Sequence, residues 1–298
     1  MTASSFAKVP AERPVDPLVV ALLAAVKVTC AKTGTRFVLA GATARDIQFL
    51  HLHGVKAPTA TRDVDVAVCA VSWEFHQRLI DALLATGDFT RDTKAQQKLI
   101  FRRKADAYGV QLDLVPFGPL EAPPGEISWP PDGQTVMNVL GFQEAIDTAQ
   151  DIDIGEGVVV PVVTIPAFVL LKLMAWQDRR TKKNTDASDL LFVLRQYVNA
   201  DNDVRLYEEG LDLLEACAFD PEIAAAGLLA RDARDVAQPR TREAVRAIFM
   251  TPATLALLKN DLLARAATLA FGQVVDDYDK LLDAFAAQFI LDPPAGMR

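Results

Sequence analysis

The sequence predicts an α+β protein: a mixed N-terminal half, in which a short sheet is flanked by helices, followed by an all-α C-terminal half. Strand and helix patterns alternate as far as residue 165, whereas from Pro166 onward the spacing of apolar residues is almost wholly helical. The chain has 298 residues, enough for two modest domains, and we place these at residues 1–165 and 166–298. Hydrophobic residues make up 51% and charged residues 23%, which excludes disordered, collagen-like and coiled-coil classes.

The N-terminal half shows the patterns of five strands and three helices. Short apolar or β-branched runs predict strands at residues 36–40, 64–70, 97–103, 110–116 and 158–165. Helical spacing predicts helices at residues 17–32, 43–53 and 72–85. Ser72 is a good N-cap for the last of these, and Glu74 suits its first turn. Repeated prolines and glycines indicate a loop over residues 118–133, and residues 1–15 read as a loose leader.

The C-terminal half shows seven successive helical patterns. They cover residues 166–180, 185–197, 204–219, 221–231, 240–249, 252–270 and 273–289.

Charge and hydropathy restrict the class of partner and the compartment. The net charge is −8 at pH 7, without a basic tail, which disfavours a protein that coats nucleic acid. No apolar run reaches the ~20 residues of a membrane span, and the N-terminus lacks a signal-peptide pattern. The three cysteines are far apart in the sequence, as expected of reduced thiols. We therefore expect a cytoplasmic protein without a membrane partner.

A pair of aspartates on one strand is the most informative pattern. In a strand, residues i and i+2 point to the same face, so Asp63 and Asp65 project together while Val64 and Val66 face the core. Two neighbouring carboxylates repel each other unless water or a cation lies between them. Mg²⁺ prefers such oxygen ligands and takes substrate phosphates as further ligands. The alternative is a solvated strand end that carries two acids.

Two neighbouring strands carry charges that could complete such a site. Asp113 is a lone carboxylate in an apolar strand, so it requires a partner, either a metal ion shared with the other carboxylates or a nearby arginine. Lys98 and Arg102 share one face of the preceding strand and could meet phosphate oxygens. The alternative for these two is a basic edge strand that discourages edge pairing.

A turn of small residues precedes the second helix. Gly41 and Ala42 follow a buried strand, and the helix starts near Thr43. Such a turn presents backbone N–H groups and the positive end of a helix dipole to an anion. The alternative is a simple tight turn.

In combination these motifs resemble the polymerase-β-like nucleotidyltransferase superfamily, and more closely the AbiEii/AbiGii toxin-type nucleotidyltransferases. That family has a Gly-Gly/Ser turn with D-x-D, then K-x-x-x-R, L-x-x-K and D-x-x-D. The matching positions, in this order, are Gly41-Ala42 with Asp63 and Asp65, Lys98 with Arg102, Val169 to Lys172, and Asp186 with Asp189. Ala42 and Val169 depart from the pattern. Residues 41–46, which include Arg45, also resemble the G-G-x-x-R-D start of tRNA nucleotidyltransferases.

The resemblance implies a nucleotidyltransferase palm that transfers NMP from an NTP to an acceptor hydroxyl and releases pyrophosphate. It implies two Mg²⁺ ions on Asp63, Asp65 and Asp113, with Asp113 helping to activate the hydroxyl. The implied nucleotide-binding and further catalytic residues are Gly41, Thr43, Arg45, Lys98, Arg102, Lys172, Asp186 and Asp189.

The resemblance also implies an RNA acceptor, such as a tRNA 3′ end, and an antitoxin protein as a partner. Two alternatives remain open: a catalytically silent binding protein with the same fold, and a small-molecule nucleotidyltransferase of the antibiotic-modifying kind. Trp129 in the 118–133 loop could stack on a base, or it could anchor the loop by packing.

Overall fold

A computed structural model describes residues 6–59, 63–92, 98–182, 185–269 and 278–291. The chain divides after Thr164 into two compact units. We refer to them as the palm unit and the helical unit. Among the predicted elements, Gln97 and the start of the last helix fall outside the described residues.

Four α-helices lie within the residues of the palm unit that the structure describes. They are α1 (Pro17–Thr33), α2 (Gly41–Asp46), α3 (Trp73–Leu84) and α4 (Phe142–Asp147). A π-helical turn (Ile47–His51) continues α2. The predicted N-cap of α3 is confirmed, since the Ser72 hydroxyl accepts a hydrogen bond from the Phe75 N–H at 3.2 Å. Gly34 ends α1 in the left-handed conformation, with φ +68°.

In the described ranges of the palm unit, ten strands form one large sheet and one small hairpin. They are β1 (Ala7–Lys8), β2 (Phe37–Ala40), β3 (Asp63–Cys69), β4 (Phe89–Arg91), β5 (Lys98–Phe101), β6 (Val110–Phe117), β7 (Glu126–Ser128), β8 (Val136–Asn138), β9 (Gln150–Asp153) and β10 (Val159–Val162). The eight-stranded sheet has the order β1-β9-β10-β2-β3-β6-β5-β4, and β7 pairs with β8. Its centre is mixed, because β3 runs parallel to β6 but antiparallel to β2. The predicted α+β class is confirmed.

Several short elements were not predicted. β1 lies in the expected leader, β7 lies inside the expected loop, and β4, β9 and α4 had no assignment. Strands of two to four residues are too short to show an alternation, so pairing partners distant in sequence define them. β1, for example, exists because Ala7 and Lys8 pair with Ile152 and Asp153 of β9.

The described residues of the helical unit form eight α-helices and one 3₁₀ turn (Tyr197–Asn199). The helices are α5 (Ile165–Arg179), α6 (Thr185–Gln196), α7 (Asp203–Glu209), α8 (Leu211–Ala216), α9 (Pro221–Val236), α10 (Pro239–Met250), α11 (Pro252–Leu269) and α12 (Tyr278–Ile290). The single helix expected at residues 204–219 is interrupted at Gly210, which separates α7 from α8. α5 and α11 are joined by a hydrogen bond from the Trp176 indole to Asp261 at 2.9 Å.

Within the ranges that the structure covers, no helix combines the length and the apolar character that crossing a bilayer requires.

An aromatic cluster of Trp73, His76 and Trp129 lies beside α3 in the palm unit. The ring centroids of Trp73 and Trp129 are 5.1 Å apart, and His76 packs edge-on against each indole at 5.9 Å. Burial lowers the pKa of His76 to about 4, Arg91 acts in the same direction, and a hydrogen bond to the Leu114 backbone opposes them. The imidazole is therefore neutral at pH 7.

We predict that His76 makes the palm unit sensitive to mild acid. Between pH 6.5 and 4 the unfolded chain binds a proton at this position and the folded chain does not, so stability falls as the pH falls. The loss attributable to His76 between pH 7 and 4.5 is up to about 3 kcal/mol. Urea unfolding at both pH values measures it, and the His76→Phe variant should show a correspondingly smaller loss. Equal losses in the two proteins would contradict this prediction.

Candidate active site

The predicted acidic pair lies at the beginning of β3. Val64 and Val66 are fully buried, whereas Asp63 and Asp65 are half-buried. Because side chains alternate along a strand, both carboxylates project from the face opposite to the valines. The structure therefore gives Asp63 and Asp65 the common face that their spacing predicts.

The strand register brings Asp113 onto the same face. β3 and β6 are parallel, with Asp65 opposite Asp113 and Asp63 opposite Gln111. Neighbouring strands lie about 4.8 Å apart, and side chains at paired positions point to the same side. β5 and β2 extend this arrangement, since Lys98 is opposite Asp113 and Ala40 is opposite Asp65. Ala40, Asp65, Asp113 and Lys98 thus form one row across four strands, which we call the acidic row.

Asp113 has a basic partner within the acidic row. Lys98 Nζ lies 3.3 Å from Asp113 Oδ2, and Gln111 Nε2 donates a hydrogen bond to Asp113 Oδ1 at 3.0 Å. Burial raises the pKa of the Asp113 carboxyl, Lys98 opposes this by charge and hydrogen bonding, and the negative charge of Asp63 adds to the increase. The net result is a raised pKa. Lys98 therefore offsets only part of the effect of burial on the Asp113 carboxyl.

Arg102 lies farther along the same edge of the site. β5 ends at Phe101, and the Arg102 N–H donates to the Asp88 carbonyl at 2.8 Å. Four residues along a strand span about 13 Å, so Arg102 is displaced by that distance from the acidic row. Its side chain is exposed. Of the two predicted phosphate-binding cations, the structure places Lys98 beside the acids and Arg102 beyond them.

The glycine turn lies against Asp65. Gly41 follows the acidic-row residue Ala40, and its φ is +65°. A Cβ atom built on Gly41 would lie 1.9 Å from Asp65 Oδ2, so only glycine fits beside this carboxylate. The Thr43 hydroxyl donates a hydrogen bond to the Asp63 carbonyl at 3.0 Å. α2 is therefore held directly against the acidic end of β3.

Arg45 has an internal role in the structure. Its guanidinium is almost completely buried, forms a 2.7 Å ion pair with Asp46 and donates to the Thr59 carbonyl at 2.8 Å. This geometry favours a structural function over the nucleotide contact predicted from the resemblance.

The remaining predicted residues lie together in the helical unit. Lys172 Nζ on α5 is 3.0 Å from Asp186 Oδ1 and 2.6 Å from Asp189 Oδ2, both on α6. Arg179 Nε is 2.8 Å from Asp186 Oδ2. We call these four residues the helical ion cluster. Burial would lower the pKa of Lys172, but Asp189 and Asp186 outweigh it and the pKa is raised.

The pKa of the Asp186 carboxyl is lowered, in the direction opposite to that of Lys172. Burial would raise its pKa, whereas Arg179 and Lys172 lower it more strongly. Lys172 and Asp186 therefore each favour the charged form of the other.

The carboxylate oxygens of the palm unit are ligands of the kind that a hard cation such as Mg²⁺ prefers. Among the residues that the structure describes, no group of three or more acids, histidines or cysteines is arranged to hold a metal ion. Mg²⁺ usually binds through one or two carboxylates together with waters and substrate phosphates, so a complete protein cage is not needed. Asp63 and Asp65 offer such a pair, with Asp113 in the adjacent strand.

Sequence reasoning did not identify Gln111 as a member of the site. Its spacing of two residues from Asp113 places both side chains on one face, so the strand pattern contained the signal. The contact between Gly41 and Asp65 had no comparable signal, because it depends on how α2 returns over β3.

Comparison with known proteins gives one family match and several distant structural similarities. Residues 22–284 match the model of a family described as nucleotidyl transferase AbiEii toxin, type IV TA system. No curated protein sequence is significantly similar to the chain.

The structural neighbours are remote. An antigenic nucleotidyltransferase-like protein from Paracoccidioides brasiliensis has 16% identity and a TM-score of 0.41, covering 68% of this chain and 93% of its own. The antibiotic-resistance factor ANT(2'')-Ia has 11% identity and a TM-score of 0.37, covering 68% and 98%. The Thermotoga maritima CCA-adding enzyme complexed with tRNA has 13% identity and a TM-score of 0.23, covering 93% and 80%.

Proposed function

Because the chain belongs to the AbiEii nucleotidyltransferase toxin family, and is thus a nucleotidyltransferase, we propose that it transfers NMP from an NTP to an acceptor hydroxyl with the help of Mg²⁺. The observation that carries this proposal is the acidic row, in which Asp65 and Asp113 are paired across parallel strands with Gly41 against Asp65. Asp63 lies two residues before Asp65 on the same face.

Each group of the palm unit has a role in this proposal. Asp63, Asp65 and Asp113 would hold two Mg²⁺ ions, which supply charge neutralisation for the triphosphate and for the departing pyrophosphate. Gly41 leaves room for the β- and γ-phosphates near the start of α2, where backbone N–H groups suit anions. Thr43 fixes this turn through the Asp63 carbonyl.

The chemical step is a displacement at the α-phosphorus. The acceptor oxygen forms a new bond to that phosphorus, the bond to the bridging oxygen of the β-phosphate breaks, and pyrophosphate leaves with the bonding electrons. Asp113 takes the hydroxyl proton as the general base of this proposal. Lys98, whose Nζ lies 3.3 Å from Asp113 Oδ2, favours the ionised form of the carboxyl before the proton arrives.

For the acceptor we propose RNA, such as a tRNA 3′ end, and for the biological role the toxin of a toxin–antitoxin pair with an antitoxin protein as partner. The description of the family, a toxin of a type IV system, supports this assignment. Lys172, Asp186 and Asp189 remain proposed catalytic residues, although the structure also pairs them with one another.

Labelled nucleotides test the proposed function. The protein is incubated with Mg²⁺, total RNA and each NTP labelled at the α-phosphate, and a parallel reaction uses label at the γ-phosphate. We expect α-label, but no γ-label, in RNA, and none with the control carrying Asp63→Asn and Asp65→Asn. Transfer to an added aminoglycoside instead of RNA would show that the acceptor is a small molecule and not RNA. Transfer to no RNA, protein or small molecule would refute the proposed reaction.

The ion pair of Lys98 and Asp113 leads to a prediction about pH dependence. Lys98→Met removes the cation that lowers the pKa of Asp113. The pKa of Asp113 therefore rises further, and a higher pH is needed to keep the carboxyl ionised. The acidic limb of the kcat/KM profile should therefore move to higher pH. Lys98→Arg, which retains the charge, is the matched control and should stay near wild type. An unchanged limb in Lys98→Met would show that Asp113 is not the titrating base.

A further inference from the structure

A groove on the palm unit lies apart from the acidic row. It encloses ≈ 700 Å³ and is lined by Trp73, His76, Gln77, Arg78, Arg91 and Trp129, among others. α3, which provides four of these residues, begins after the end of β3, whereas Asp63 and Asp65 lie at its beginning. Seven strand residues span roughly 20 Å. We call this the tryptophan groove.

The two indoles give the tryptophan groove a stacking surface. Trp129 is 7% exposed and supports Trp73 at a centroid distance of 5.1 Å. Trp73 itself is half-buried, so part of its ring faces the groove. Of the two interpretations of Trp129, the structure favours the packed anchor, and it assigns the accessible ring to Trp73.

Two guanidinium groups lie at the rim of the tryptophan groove. Arg78 and Arg91 are both exposed, and Glu74 is the acidic side chain in the lining. Arg91 also meets Asp81 at 3.4 Å, in a solvent-exposed pair that contributes little binding energy. On a chain of net charge −8, two arginines beside an accessible indole suit a planar ligand that carries a negative charge.

One nitrogen of the His76 imidazole has no hydrogen-bond partner in the part of the palm unit that the structure describes. His76 is 3% exposed and lines the tryptophan groove, and its Nε2 atom has no hydrogen-bond partner among the described residues. An unsatisfied buried polar atom costs about 1–3 kcal/mol, and a ligand that reaches it would recover part of this cost. The edge of a nucleobase carries both donors and acceptors for such a nitrogen.

We propose that the tryptophan groove binds a nucleotide, with the base stacked on Trp73 near His76 and the phosphate bound by Arg78 and Arg91. The nucleotide is either an unpaired residue of an RNA strand or a free mononucleotide. The RNA form rests on the proposed function, because RNA is the proposed acceptor, whereas the mononucleotide form does not. In either form this is a second nucleotide site, separate from the NTP bound at the acidic row.

Fluorescence anisotropy tests the groove without the transfer reaction. The probe is a fluorescein-labelled, single-stranded oligo(A) of seven nucleotides, without Mg²⁺ and NTP, and unlabelled AMP is the competitor. We compare Trp73→Leu and Arg78→Gln with Arg36→Gln, an exposed arginine paired with Asp147 outside the tryptophan groove. Asp65→Asn is included to separate groove binding from binding at the acidic row.

The structure predicts distinct results for these variants. Loss of stacking in Trp73→Leu should weaken binding about 5- to 150-fold. Loss of a phosphate contact in Arg78→Gln should weaken binding several-fold and reduce the slope of log K against log salt by about 0.7. Arg36→Gln and Asp65→Asn should bind like the unmodified chain. Arg78 is exposed, so its variant is expected to fold even if Trp73→Leu does not.

The competitor identifies the source of the nucleotide. If AMP competes with an affinity similar to that of the oligonucleotide, the groove is a mononucleotide site. If AMP competes much more weakly, the groove binds an RNA strand. Absence of oligo(A) and AMP binding, or equal binding by Trp73→Leu, Arg78→Gln and the unmodified chain, would overturn the proposal. Fluorescence anisotropy measures binding and does not require nucleotidyl transfer. A protein without transferase activity can therefore still bind the probe at the tryptophan groove, and an active transferase can still lack this binding.

Discussion

Replacing Gly41 with alanine is expected to lower the rate of nucleotidyl transfer by about a hundredfold or more. The added Cβ would lie 1.9 Å from Asp65 Oδ2 and 2.6 Å from Asp65 Cγ, so the carboxylate has to move. A displacement of about 1 Å in a catalytic group can cost about 10²-fold in rate. The positive φ of Gly41 adds about 1–2 kcal/mol of backbone strain for any L-residue.

Gly34 offers a matched control for this prediction. Its φ of +68° is nearly that of Gly41, but a Cβ built there meets nothing within 4 Å among the described residues. Gly34→Ala should therefore show the strain without the displacement of Asp65. Initial rates of label transfer and urea unfolding measure the two effects separately. If Gly34→Ala and Gly41→Ala lose the same activity, backbone strain alone explains the loss. The inferred effect of displacing the Asp65 carboxylate is then wrong.

Replacing Lys172 with methionine is expected to destabilise the helical unit by about 3–5 kcal/mol. Lys172 Nζ lies 3.0 Å from Asp186 and 2.6 Å from Asp189, whose side chains are 0% and 7% exposed. Removing one partner from a buried ion pair leaves uncompensated charge in an apolar environment. Arg179 still neutralises part of Asp186, but Asp189 loses the ammonium next to it. Urea unfolding at pH 7 measures the loss.

Arg180→Met provides the comparison for Lys172→Met. Arg180 pairs with Asp261 at 3.4 Å, and the two side chains are 29% and 21% exposed. A partly solvated pair of this kind contributes about 0–1 kcal/mol. Similar stability in the two variants would show that the helical ion cluster adds little to folding. In that case its acids and its lysine would be retained for another purpose, such as the proposed contact with the triphosphate.

The palm site was predictable from the sequence as far as local spacing determines it. Period-two alternation placed Asp63 and Asp65 on one face, and the structure has them there. The row that joins Asp65 to Asp113 depends on the pairing of β3 with β6, which lie almost fifty residues apart. Local patterns do not specify such a register, so the sequence predicted that Asp113 needs a partner but did not identify Lys98 as that partner.

The helical ion cluster shows the same distinction between spacing and packing. Asp186 and Asp189 are three residues apart on α6, a spacing that places both on one helix face, and both contact Lys172. Their burial was not evident, because it follows from the packing of α6 against α5 rather than from its own sequence. Arg45 is comparable, since its internal partner Thr59 lies in a loop that has no recognisable pattern.

The acidic row also determines when during synthesis the protein can become active. Its members come from four strands between residues 37 and 117, and the strand that carries Asp113 is the last of these to leave the ribosome. A nascent chain shorter than this has Asp63 and Asp65 beside β2 but lacks the strand that brings Asp113 next to them. Contacts between distant segments form late in folding. Catalytic competence should therefore not appear before β6 has inserted between β3 and β5, and shorter ribosome-bound chains should be inert.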